Sequence, residues 1–264
     1  MKIGIFDSGL GGLVVGRAII KQLPGYDYVY LGDTARVPYG SRSQKTVYEF
    51  THQAVKYLFE QDCQLVILAC NTASAQALRR IQREFLPKAY PDRRVLGVII
   101  PTLEAIDSRH QSIGIIGTSG TIHSGIYKKE LKKLWPKAKV YQQASPLLVP
   151  LIENNELALA RPFLQRYLRP LLAKQIDTLV LGCTHYPLLK AEIKKVLGPQ
   201  IKIICQTDTV PEKLESYLVR HPEIDERLSK KHSRTFLVTD LNQDFKKVAQ
   251  KLFGKPLKFK VVAL

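Results

Sequence analysis

The sequence predicts an α/β protein of two pseudo-symmetric α/β domains, each a mostly parallel sheet flanked by helices, with the active site in the cleft between them. Strand-like apolar runs alternate with amphipathic stretches, the β-α-β-α order that builds parallel sheets covered by helices. A long-period echo suggests a duplicated unit: IGIFDSG (3–9) is answered by IGIIGTS (113–119), and LVILACNT (65–72) by TLVLGCTH (178–185), at nearly equal separation. Two cysteines, Cys70 and Cys183, end matching apolar runs in the two halves.

Taken in order, IGIFD (3–7) reads as the first strand and GLVVGRAIIKQL (12–23) as the helix after it. YVYLGD (28–33) is the next strand, and TVYEFTHQAVKYLFEQ (46–61) the next helix. LVILAC (65–70) reads as a strand, TASAQALRRIQREF (72–85) as one helix, and VLGVII (95–100) as a further strand. Ligands in such folds bind beyond the carboxyl ends of the strands, where Asp7, Asp33 and Cys70 all fall. TFLVTD (235–240), LNQDFKKVAQKLF (241–253) and LKFKVVAL (257–264) belong to neither repeat and are expected to return to the first domain. The division expected is residues 1–97 with 208–264, carrying Cys70, against 98–207, carrying Cys183.

Composition narrows the function classes. A chain of 264 residues, 45% hydrophobic and 24% charged, can bury one large or two smaller cores. The N-terminal apolar run is cut by Asp7, too short for a signal-peptide core, and no segment approaches a membrane span. A cytoplasmic location is expected. Four cysteines without a CxxC pair support neither a disulfide framework nor a structural metal, so no metal ligand is assigned. Lys and Arg total 40 against 23 Asp and Glu, giving +17. Patches such as KKELKKLWPKAK (128–139) could attract nucleic acid, but no recognition motif accompanies them and such binding is expected to be non-specific.

The cysteines carry the chemistry. Two thiols delivered from two halves can act as acid and base on opposite faces of one small molecule, the arrangement that inverts a carbon centre. A lone buried cysteine is more often a small hydrophobe; the paired placement argues otherwise. Asp7 and His185 are the candidate neighbours adjusting each thiol's proton affinity. Cys63 and Cys205 lack such neighbours in sequence and read as structural.

Three loops complete the reading. DSGLGG (7–12) and GTSGTIHSG (117–125) follow strands, and their glycines and helix-start N–H groups suit a small carboxylate-bearing ligand, or simply a tight turn. Neither is a nucleotide fingerprint. LGDTARVPYGSRS (31–43) offers Asp33, Arg36, Tyr39 and Gly40 either to a ligand or to local hydrogen bonds.

In this order DSGLGG, GDTARVPYG, ACNTAS, GTSGTIHSGIY, PLIENNE and GCTHYPLL resemble the bacterial glutamate racemase family, within the wider cofactor-independent aspartate/glutamate-type racemases. The likeness spans roughly residues 3–190, and the tail is similar as well. It implies cofactor-independent interconversion of L- and D-glutamate for peptidoglycan precursors. It also implies Cys70 and Cys183 as the acid/base pair, Cys70 acting on D-glutamate and Cys183 on the L form, assisted by Asp7, His185 and Glu153. Asp33 lies in a matching motif, and Ser8, Tyr39, Gly40, Asn71, Thr72, Thr118, Thr121 and Thr184 fall on substrate-contact motifs, with Asp7 and His185 at the same site. A homodimer is expected. One departure stands out: this chain reads CQTDTV (205–210) where many members carry a DSG-type segment.

The nearest rival is an aspartate racemase, one methylene away in substrate. The other is a regulatory or nucleic-acid-binding protein using its basic surface.

Overall fold

The computed structural model describes residues 1–107 and 111–264. It contains two parallel sheets. The larger is built from β1 (Lys2–Asp7), β2 (Tyr28–Gly32), β3 (Cys63–Leu68), β4 (Arg94–Gly97), β9 (Arg234–Val238) and β10 (Phe259–Val261), in the order β10-β9-β2-β1-β3-β4. The smaller is built from β5 (Ser112–Gly117), β6 (Lys139–Ala144), β7 (Thr178–Gly182) and β8 (Lys202–Ile204), in the order β6-β5-β7-β8. All pairings are parallel. Sequential strands of each half therefore occupy the order 2-1-3-4, and the echo seen in sequence is an echo in topology.

Sheets covered on both faces read as unbroken apolar runs, which is why β1, β3 and β7 are legible in the sequence. Their side chains divide between clusters on the two faces: Ile3, Ile5, Leu65 and Ile67 pack under the Gly12–Gln22 and Gln206–Arg220 helices, while Phe6, Val66 and Leu68 meet the Gln44–Glu60 helix. In that last helix, Val47, Thr51, Ala54, Val55, Leu58 and Phe59 form one buried stripe, and Ser43 caps its start by accepting from Thr46 N–H at 3.2 Å. Each such aliphatic residue fully withdrawn from water contributes about 1.5–3 kcal/mol before entropy is counted. The C-terminal segment joins the first core through Val210, Leu214, Leu218, Phe236, Leu252 and Phe253.

Two elements differ from their sequence reading. VLGVII is not one strand: β4 ends at Gly97, and a helix begins at Ile99 and runs to Glu104. Pro101 sits in that helix's first turn, where its missing N–H has no helical partner to lose. The helix expected over 72–85 is broken into Asn71–Gln76, Leu78–Arg80, a π turn over Ile81–Phe85, and Leu86–Ala89. The widened turn sets Phe85 edge-on to His52, 4.2 Å between ring centroids, while Leu86 enters the core.

The 2-1-3-4 order places a topological switch point between β1 and β3, and another between β5 and β7. Asp7 closes β1 and Cys70 follows β3; Thr118 follows β5 and Cys183 follows β7. Both thiols thus lie at the crevice positions of their own sheets. No helix among the described residues is long and apolar enough to cross a membrane.

Candidate active site

Cys70 and Cys183 line one cavity of about 80 Å3, together with Ser8, Tyr39, Gly40, Asn71, Thr72, Thr118, Thr184, His185 and Glu153. Each thiol is only 5% exposed.

Cys70 caps the Asn71–Gln76 helix, its sulfur accepting from Ala73 N–H at 3.5 Å and donating to Ser8 Oγ at 3.4 Å. Burial, reinforced by the negative charge of Asp7, pushes the thiol up to about 12, against the opposing pull of Ser8 and the Ala73 N–H. Cys70 is therefore a neutral acid at physiological pH.

Cys183 has a different neighbour. His185 Nδ1 lies 3.7 Å from its sulfur, and His185 Nε2 lies 3.1 Å from Glu153 Oε1. Burial opposes a charge on this imidazole, but the contacts with Cys183 and Glu153 outweigh it and hold its pKa well above the ordinary value. Asp7 thus acts on Cys70 through space, whereas His185 lies directly beside the Cys183 sulfur.

Asp7 stands one layer back. It is fully buried, accepting from Gly9 N–H at 3.1 Å and from Thr184 Oγ1 at 3.3 Å. Burial raises its pKa, partly offset by the charge of His185 and by the N–H groups of Gly12 and Gly9. Asp33 likewise does not line the cavity. Its Oδ1 accepts from Thr239 Oγ1 at 2.9 Å, and its Oδ2 takes Arg36 Nε at 2.7 Å and the Tyr39 hydroxyl. It fixes Tyr39, which does reach the cavity. Thr121 is also behind the wall, 3.2 Å from Thr72 Oγ1 and 3.0 Å from Thr118 Oγ1.

The glycine-rich turn also serves the packing. A Cβ at Gly11 would lie 2.4 Å from His185 Cε1 and 2.6 Å from Thr184 Oγ1, so the missing side chain lets the two halves of the molecule meet. Gly40 repeats this against Thr118, at 2.6 Å from its Cβ. Cys205 does have an acidic neighbour: its sulfur donates to Asp208 Oδ2 at 3.2 Å, and Asp208 pairs with Lys190 at 2.7 Å. Val37, Pro38, Ser41, Ser119, Pro146, Val149 and Pro150 complete the cavity wall.

Two buried thiols lining one small cavity point to a class: the racemases. Residues 14–213 match the Asp/Glu/hydantoin racemase family, and the chain belongs to it. Glutamate racemases are among its relatives. That of Syntrophus aciditrophicus (strain SB) is 39% identical, over 97% of this chain and 93% of its own. Isoform RacE1 from Bacillus anthracis superposes with a TM-score of 0.90 at 35% identity, over 100% of this chain and 97% of its own. The glutamate racemase of Francisella tularensis in complex with D-glutamate gives a TM-score of 0.90 at 32% identity, covering 99% and 97%.

Proposed function

We propose that this chain interconverts L- and D-glutamate by a two-thiol reaction in the cavity between its sheets. The observation that carries the proposal is the convergence of Cys70 and Cys183, from equivalent switch points of two sheets, on one cavity.

In the L-to-D direction, Cys183 as thiolate takes the α-proton while Cys70, a thiol, gives its proton to the opposite face. Cys183 is left as thiol and Cys70 as thiolate, and the reverse turnover restores the start. The raised thiol pKa of Cys70 supports its role as the proton-loaded partner, and His185 Nδ1 lies beside the Cys183 sulfur at 3.7 Å. The electron pair left on the α-carbon spreads into the α-carboxylate. Donors preorganised around that group lower the barrier most, and Ser8, Thr72, Thr118 and Thr184 are the candidates on the cavity wall, while Asn71 is proposed to bind the substrate equally before and during proton transfer. Tyr39 and Gly40 are proposed to meet the remainder of the substrate, with Asp7, Asp33 and Thr121 positioning these residues from behind. The product would feed peptidoglycan precursors.

The proposed domains are 1–97 with 208–264, and 98–207, in keeping with the separate cores around each sheet. A homodimer is proposed from Leu147 and Leu159, 42% and 55% exposed beside the Leu148–Glu153 helix of the cavity wall; sedimentation velocity measures it.

The direct test is circular dichroism of L-glutamate incubated with purified protein. Decay of the signal to zero supports the proposal, and a constant signal overturns it. Solvent-deuterium incorporation at Cα, run in parallel on aspartate, separates the two substrates.

A further inference from the structure

The CQTDTV segment, where the chain departs from its family's usual reading, carries a buried glutamine that ties the two catalytic loops together. Gln206 is fully buried. Its Nε2 donates to the Leu181 carbonyl at 2.6 Å and to Asn71 Oδ1 at 3.2 Å, and lies 3.5 Å from the Tyr127 hydroxyl. Leu181 is two residues before Cys183, and Asn71 directly follows Cys70. One amide therefore spans from the β7 end to the Cys70 loop.

The chemistry of these groups fixes which way each amide faces. A carbonyl only accepts, so the end of Gln206 beside Leu181 must be its nitrogen. The Asn71 atom beside that nitrogen must then be oxygen. The Tyr127 hydroxyl donates to the same oxygen at 2.6 Å, so two donors converge on Asn71 Oδ1. Among the described residues Asn71 Nδ2 is left as a buried donor with no partner, on a residue that lines the cavity. Gln206 Oε1 is also buried and unpartnered among the described residues, a cost that an apolar residue of the same length would avoid.

We propose that Gln206 and Tyr127 are positioning residues which lock the Asn71 amide with its nitrogen turned toward the substrate, as a ready-made donor to an anionic oxygen. This rests on the racemase reading above. Without the lock, the Asn71 amide can rotate and present its oxygen, a like-charged partner for a carboxylate. Since this hydrogen bond is made before and during proton transfer alike, its loss appears in KM rather than kcat.

The test is a double-mutant cycle on purified protein with glutamate as substrate, checked for folding by thermal unfolding. Gln206→Met keeps the length and removes the amide; Tyr127→Phe keeps the ring and removes the hydroxyl. Each is expected to raise KM roughly tenfold, the size of one misdirected hydrogen bond to a charged group, with kcat held within about twofold. In an Asn71→Ala background neither should raise KM further. A fall in kcat at constant KM, or an equal loss in both backgrounds, would overturn the assignment by showing a general structural role. Should Gln206→Met fail to fold, Tyr127→Phe decides alone. If wild-type protein racemises no glutamate, the racemase reading fails instead, and the two failures are distinct.

Discussion

Glu153 and His185 are joined by a 3.1 Å contact between Oε1 and Nε2, and the opposite nitrogen of the same ring faces Cys183 at 3.7 Å. Glu153 is 20% exposed at its side chain and His185 only 6%, so the pair carries charge from the solvent edge toward the thiol. Contacts with Cys183 and Glu153 raise the His185 pKa against the effect of burial. The imidazolium then persists until pH rises through that raised value. Glu153→Gln removes one of the raising contributions and lowers the pKa. The alkaline limb of kcat/KM against pH should therefore move to lower pH, while the acid limb stays. A profile superimposable on wild type would break the proposed link.

Cys70→Ser and Cys183→Ser should each lower racemisation by about 10²–10⁴-fold, the usual worth of a positioned proton-transfer group. A serine hydroxyl is far less acidic than a thiol and leaves the fold unchanged. Circular dichroism of glutamate reads activity and far-ultraviolet dichroism reads folding. Near-normal turnover in either variant would dismiss the two-thiol scheme.

Gly11→Ala tests the contact between the two halves. The new Cβ would meet His185 Cε1 at 2.4 Å and Nδ1 at 2.5 Å, atoms of a buried ring. Displacing that ring by such a margin should cost roughly 10²-fold in kcat/KM, because proton transfer tolerates little misplacement. Steady-state kinetics beside a thermal melt checks it; an active variant would mean that the ring shifts freely.

Asp7→Asn should separate stability from activity. Burial raises the Asp7 pKa, so its charge burdens the folded state above that pKa, and the burden lifts as pH falls through it. Asparagine removes the charge, and its amide nitrogen can face Thr184 while its oxygen still accepts from Gly9. Relief of about 1 kcal/mol would raise Tm by roughly 2–4 °C in a chain of this size. Activity should fall, since the proton balance around Cys70 is lost. Calorimetry and kinetics on one preparation test both; a lower Tm contradicts the argument.

The fold was legible where local pattern and tertiary demand agree. β1, β3, β5 and β7 are buried on both faces, so 3–7, 65–70, 113–119 and 178–185 read directly as strands or strand exits. VLGVII misled because an apolar run bears no mark of where a strand ends and a helix begins. The π turn at Ile81–Phe85 has no local sequence mark, and the Phe85–His52 contact it accompanies is tertiary. In the site, the cysteines announced themselves by matching contexts. Glu153 came from family likeness alone, since nothing local in PLIENNE points toward His185. Tyr127 and Gln206 reach Asn71 across sequence separations of 56 and 135, which no local pattern encodes. Asp33 was legible as a strand-end acid, but its hydrogen bonds to Tyr39 and Thr239 were not.

The sheet order also bears on how the polypeptide matures on the ribosome. β5 to β8 come from one continuous stretch, so the smaller sheet can close as soon as residue 204 has emerged. The larger sheet must wait for β9 and β10, because Phe236, Leu252 and Phe253 complete a core begun by Ile3 and Ile5. The second half thus finishes first, and the nascent N-terminal segment stays partly unsheltered for most of translation, the interval in which chaperone contact and misassembly compete.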